Sequence, residues 1–206
     1  EVEERERETL TRLARAIAYR DASTSANLER VAAVAGMVAE AMGLFEDEVR
    51  MIELAAPLHD IGKIAIPDAI LMKPGPLTAE ETLEMRQHPQ IGYELLSNSQ
   101  NRFIQLSALI ALRHQERFDG TGYPDGLAGE QIPLEARIVA IADVFDALMS
   151  KRPYKRAWSI EEALAYIGEN SGRHFDPRCV EAMLSNVPRL QQICAQFGGR
   201  PVGPLQ

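Results

Sequence analysis

His59 and Asp60 stand side by side at the end of an apolar helical pattern, and Lys63 follows three residues later. Adjacent side chains on a helix point about 100° apart, so this pair cannot share one ion as an i,i+4 pair does. The two groups can bracket a single metal, or the Asp60 carboxylate can bridge two. Imidazole with carboxylate suits iron, manganese or zinc better than calcium.

The rest of the chain offers partners. Of the four histidines, His59, His88 and His114 fall at or near helix ends or breaks, where a side chain can turn into a shared cleft. Asp143 lies inside the apolar run Ile138-Val139-Ala140-Ile141-Ala142-Asp143-Val144-Phe145, where an ionised carboxylate is costly unless paired or metal-bound. Each has an ordinary structural alternative. His88, before Pro89, can cap its helix; His114 can be a satisfied core histidine; Asp143 can bond a helix N-terminus. Taken together, the order His-Asp, His, His, Asp is the ligand set of a non-haem metal centre. His174 has no evident partner.

These residues need helices to bring them together. Residues 1–20 read as one helix, charged at its start and striped by Leu10, Leu13, Ala14 and Ile17. A second carries Leu28, Val31, Val34 and Val38 and ends near Gly43. A third runs from Phe45 through Ile52 and Leu58 into His59. Thr78 to Glu81 is a capping box, and its helix should break and restart at His88-Pro89. Phe103 to Leu112 delivers His114 at its end. Residues 117–133, with four glycines and two prolines, form a long loop whose rigid residues favour order. An apolar helix from Leu134 to Met149 follows, then a second capping box at Ser159 to Glu162 and a helix start at Asp176-Pro177. No confident alternating strand occurs, so the expected fold class is all-α, a single compact domain.

Composition narrows the partners. The formal net charge of −8 over 206 residues argues against a DNA-binding module, while leaving room for a phosphate ligand in a locally basic pocket. Cys179 and Cys194 are too few for a disulfide scaffold, which makes a reducing cytoplasm the expected setting. No apolar run reaches the roughly 20 residues that span a bilayer. The chain starts at Glu1 rather than Met, as expected for part of a longer protein.

The chain resembles the HD-GYP family, a bacterial branch of the HD metal-dependent phosphohydrolases, over about residues 10–197. The resemblance rests on five stretches in order: His59-Asp60-Ile61-Gly62-Lys63, His88-Pro89, His114 through Gly122-Tyr123-Pro124, Ala142-Asp143-Val144-Phe145-Asp146-Ala147, and Arg152-Pro153-Tyr154-Lys155. It implies hydrolysis of cyclic di-GMP to pGpG or GMP at a centre of two divalent ions, iron or manganese, held by His59, Asp60, His88, His114 and Asp143. Such ions acidify a bound water and neutralise charge on the attacked diester. By the same resemblance, Asp60 and Lys63 are catalytic. Lys63, Arg152, Lys155, Asp146 and Tyr123 contact the substrate, Arg152 being suited to a bidentate grip. The resemblance further implies that the Gly122-Tyr123-Pro124 loop shapes the site and meets GGDEF-domain proteins, loop rigidity alone being the alternative reading. Residues 1–21 then read as a connector helix from an upstream receiver or sensor domain, able to pair in a homodimer. Residues 22–197 form the HD-GYP domain and 198–206 a flexible tail.

Two positions depart from the family pattern. Asn27 and Gln115 stand where the family carries metal-binding histidines, and Ser23 stands where some members carry a glutamate for a third ion. Asn and Gln offer neutral oxygens that hold first-row metals more weakly than imidazole. The alternative expectation is therefore a catalytically degenerate domain that senses cyclic di-GMP or acts by protein interaction.

Overall fold

The structure is a computed structural model that describes residues 2–20, 25–150 and 156–197. In chain order its helices are α1 (Val2–Arg20), α2 (Ser25–Ala41), α3 (Glu46–Ala55), α4 (Asp68–Leu71), α5 (Ala79–Met85), α6 (His88–Leu96), α7 (Arg102–Arg113), α8 (Leu134–Met149), α9 (Ile160–Glu169), α10 (Pro177–Leu184) and α11 (Val187–Phe197). Two isolated bridges, Asp119 with Ala128 and Ser171 with Phe175, are the nearest thing to β-structure among the described residues. The all-α expectation holds. No described helix is long and apolar enough to cross a membrane.

α2 and α8 lie against each other at the centre. α8 is apolar almost all round, and a helix of that kind must be enclosed on every side. It buries Ile138, Val139, Ile141 and Phe145 completely, opposite Val34, Ala35 and Val38 of α2. Each large side chain so enclosed contributes about 1.5–3 kcal/mol. α3, α7, α9, α10 and α11 close the shell around this pair. The second half of α1 belongs to the same core through Ala14, Ile17 and Ala18. Arg137 of α8 and Asp176 form a buried ion pair at 2.5 Å, and the second Asp176 oxygen accepts the Arg178 amide at the start of α10.

The helix breaks that matter for function have local causes. Thr78 and Glu81 exchange the two bonds of a capping box, as do Ser159 and Glu162. α5 stops at Met85 and α6 restarts at His88 ahead of Pro89, as the sequence predicts. The third helix departs from expectation. It ends at Ala55 and tightens into a 3-10 turn over Ala56–Leu58 instead of running to His59. Pro57 has no N–H for the carbonyl four residues back, so the α-helical ladder cannot continue through it. A second 3-10 turn, Ile61–Ala65, follows Asp60 and carries Lys63.

Candidate metal centre

His59, His88 and His114 reach the centre by one device used three times. Each follows the end of a helix or turn, where backbone carbonyls keep acceptor capacity for a further donor. Each ring Nδ1 takes one of those carbonyls, three residues back: Ala56 at 2.7 Å, Met85 at 2.8 Å and Ala111 at 2.9 Å. A carbonyl can only accept, so Nδ1 carries the proton and the Nε2 lone pair is turned inward. All three rings are buried.

The Asp60 carboxylate stands among them with an oxygen on each side. Oδ1 lies 3.3 Å from His88 Nε2 and 3.5 Å from His114 Nε2. Oδ2 lies 3.3 Å from His59 Nε2 and 2.7 Å from Lys63 Nζ. His59 Nε2 is also 3.5 Å from Asp143 Oδ1, on α8. Two glycines make this approach possible. Gly62 lies directly on the first turn of α6, where a Cβ would fall 1.9 Å from the His88 carbonyl oxygen, and Gly92 continues the contact toward Ala111.

The donor set fits a cation. His88 Nε2 and His114 Nε2 face each other at 3.4 Å, and two lone pairs at that distance need positive charge between them. Asp60 Oδ1 is buried beside them and, apart from those two imidazole nitrogens, has no partner among the described residues. A buried carboxylate oxygen left so is costly unless an ion satisfies it. Asp60, His88 and His114 present ligand atoms all within 4.8 Å of one another. The carboxylates draw positive charge, a proton or a cation, into the cluster. Burial works against charge on His59, yet the Asp60 and Asp143 carboxylates lift its pKa well above the ordinary value. Burial also works against charge on Asp60, which Lys63 and His59 overcome to hold it well below the usual carboxylate range. Burial drives His88 down to about 4, keeping it neutral.

The remaining expected residues divide. The Tyr123 ring sits edge-on to His88 with centroids 6.5 Å apart, under the Arg86 guanidinium at 4.9 Å. Burial, then the Asp60 charge, push its phenol up to about 12, so it stays a hydroxyl. Gly122 packs where a Cβ would strike the Arg117 nitrogen and the Gln115 carbonyl, and Tyr123 N donates to that Gln115 carbonyl at 3.2 Å. Pro124 is exposed. Asp146 is buried in an ion pair with Arg30 at 2.6 Å and receives the Asn27 amide at 3.1 Å. Asn27 also donates to Ser150 Oγ at 2.9 Å. Burial, only partly offset by Arg30, raises Asp146 to about 6. Ser23, Arg152, Lys155 and the tail 198–206 lie outside the described residues. His174 stacks on Phe175 at 4.3 Å, its Nδ1 buried without a hydrogen bond among the described residues.

Sequence reasoning gave no role to Glu116, which organises the loop. Its side chain is fully buried; one oxygen accepts from Asp125 N and Arg113, the other from Leu127 N, at 3.0–3.2 Å. A lone acid two residues after His114 gave no periodic signal that could have exposed this.

Comparison with known proteins places the fold and site in context. The HD domain family model matches residues 11–179. The chain is 68% identical over 204 residues to the cyclic di-GMP phosphodiesterase response regulator RpfG of Xanthomonas campestris pv. campestris, covering 99% of this chain and 54% of that protein. It is 52% identical over 166 residues to a cyclic di-GMP phosphodiesterase of Thermotoga maritima, covering 81% and 45%. It is 45% identical over 186 residues to 3'3'-cGAMP-specific phosphodiesterase 2 of Vibrio cholerae, covering 90% and 36%. The chain thus spans about half or less of the length of these relatives. A crystal structure of a cyclic GMP-AMP specific phosphodiesterase of Vibrio cholerae superposes with a TM-score of 0.70 at 21% identity, over 94% of this chain and 51% of that one, which speaks for the fold alone. The chain belongs to the HD domain family, and the HD-GYP resemblance carried by its motifs stands.

Proposed function

We propose that this chain is the output module of a metal-dependent phosphodiesterase that hydrolyses cyclic di-GMP. The observation that carries the reading is the convergence of three inward Nε2 lone pairs on the two oxygens of Asp60. His88, His114 and Asp60 would hold one divalent ion, and His59, Asp60 and Asp143 a second, iron or manganese being the best match to imidazole with carboxylate. When bound, such ions supply Lewis acidity and an acidified water. The chain's own groups do the rest. The carbonyl bonds to Nδ1 fix each imidazole in one tautomer and orientation, as the outer contacts of metal-binding histidines commonly do. Lys63 sets a positive charge at the edge of Asp60, within reach of a phosphate oxygen. Tyr123 keeps its proton and can donate it in a hydrogen bond. Arg152 and Lys155 would grip the second phosphate, and Asp146 would act from behind through Asn27 and Arg30.

The homologues' names support cyclic di-GMP as substrate, and the response-regulator relative supports an upstream receiver domain and a cytoplasmic setting. GGDEF-domain partners at Gly122-Tyr123-Pro124 and dimerisation through α1 remain proposals of the same reading, as do the boundaries 1–21, 22–197 and 198–206. One observation favours a second reading, a cyclic di-GMP sensor: the Asn27 amide is engaged with Asp146 and Ser150. The test is conversion of cyclic di-GMP by protein loaded with Mn2+ or Fe2+, abolished by Asp60→Ala. Tight binding without turnover would favour the sensor, and neither binding nor turnover would overturn both.

A further inference from the structure

The last residue of α1 is tied to the segment that follows His59-Asp60. Arg20 donates from one guanidinium nitrogen to the Ile64 carbonyl at 3.0 Å and from the other to the Ile66 carbonyl at 3.2 Å. The second nitrogen also pairs with Asp68 at 2.6 Å. These carbonyls close the 3-10 turn Ile61–Ala65, where a cation satisfies orphaned acceptors and meets the negative end of the local dipoles. Ile17 and Ala18, just before Arg20, are buried, and α1 packs along both 3-10 turns, 56–58 and 61–65. The far end of the same turn is fixed by Gly62 against His88. Between those anchors stands Lys63, and Asp60 immediately precedes the turn.

We propose that Arg20 is a positioning residue: it clamps the turn carrying Lys63 and adjoining Asp60 to the end of α1, so that the seat of α1 sets the geometry of the centre. The fork is the operative feature, because one planar group holds two carbonyls that must move together. A displacement of α1 along the core is then passed to Asp60 through five residues of tight turn rather than through the loose remainder of the surface. This inference rests on the proposed metal centre and names a route by which that centre is regulated.

The experiment uses the whole chain and two readouts, Mn2+ binding by titration calorimetry and amide hydrogen exchange over residues 61–66. Arg20→Ala should weaken Mn2+ binding by about 5- to 20-fold and speed exchange at Lys63 and Ile66, whose amides bond to Asp60 and Lys63 carbonyls. Arg20→Lys keeps the charge but cannot fork, so it should fall between, and it serves where the alanine variant folds poorly. Asp68→Asn leaves the fork and should match wild type, as should Arg12→Ala on the exposed face of α1. Wild-type Mn2+ affinity in both Arg20 variants overturns the proposal, even if their melting temperature falls. A wild-type chain that takes up no Mn2+ overturns the metal reading, and the exchange arm then decides the clamp: unchanged protection at 61–66 sinks it.

Discussion

Gly62→Ala puts the geometry of the centre to a quantitative test. A Cβ at Gly62 would lie 1.9 Å from the His88 carbonyl oxygen, 2.6 Å from Gly92 N and 2.9 Å from the His88 carbonyl carbon. All three are backbone atoms, so no rotamer change relieves the clash. Ordinary contact begins near 3.4 Å, which requires roughly 1.5 Å of separation between the 3-10 turn and α6. His88 Nε2 is now 3.3 Å from Asp60 Oδ1. The same displacement takes that pair to roughly 4.8 Å, whereas two metal bonds of about 2.0–2.2 Å reach only about 4.2 Å even in a straight line. One ion could no longer touch both groups. Overpacking of this kind costs about 1–3 kcal/mol, and the melting temperature should drop by several degrees. Mn2+ affinity, measured by calorimetry on folded protein, should fall by at least about 100-fold, beyond what the loss of a supporting contact produces. Gly75→Ala, where a Cβ meets nothing within 4 Å, is the control and should change neither quantity. A Gly62→Ala protein that binds Mn2+ as wild type does would refute the reasoning that this close approach is what seats Asp60 against His88.

Other perturbations separate the site from its frame. Asp176→Ala strands the Arg137 guanidinium, whose side chain is 8% exposed, and removes the cap on α10, for a cost of about 3–5 kcal/mol. Chemical denaturation measures it, with Mn2+ affinity unmoved, and a loss below about 1 kcal/mol would contradict the burial argument. Glu116→Gln turns an amide N–H2 toward the Asp125 and Leu127 amides, losing about 1–3 kcal/mol of local stability. Proteolysis within residues 119–127 should accelerate, and wild-type resistance would show that the carboxylate does not hold the loop. Cys179 is fully buried, and burial followed by the Asp176 charge pushes its thiol up to about 12. A thiol reagent at pH 8 should therefore label folded protein at Cys194 at most, and rapid labelling of Cys179 would mean that the core around α10 opens.

The helical order was legible because each element carries its own signals. α5, α9 and α10 announce themselves by side-chain caps, and α8 by an unbroken apolar run that only enclosure can satisfy. The residues of the centre were legible by type, since buried histidine and aspartate in an apolar helical chain need a reason to be there. What could not be read was pairing across the chain. The family resemblance implies a substrate contact for Asp146, and only the fold shows Arg30, 116 residues away, meeting it in the interior. The break before His59 was missed because Leu54, Ala55 and Leu58 keep the helical period while Pro57 removes the bond the period assumes. Glu116 was missed for a related reason: two of its three partners are backbone N–H groups, which no residue pattern displays.

The three histidines suggest why a metal centre can be built from helix ends at little cost to the fold. Carbonyls at the end of a helix or turn have acceptor capacity to spare, and a histidine three residues on can use it with Nδ1, even at Ala56, whose carbonyl also takes the His59 N–H. That bond repairs the helix end and settles the tautomer in one step, so the inward lone pair is a by-product of ordinary capping. Ala56, Met85 and Ala111 supply the three carbonyls. The energetic demand then falls on a single place, the buried Asp60 oxygen facing His88 and His114. Loading with Mn2+ should therefore raise the melting temperature with the logarithm of ligand excess, as binding to the folded state alone requires. A melting temperature that ignores Mn2+ up to millimolar concentration would mean that the orphaned oxygen is tolerated for some reason other than metal.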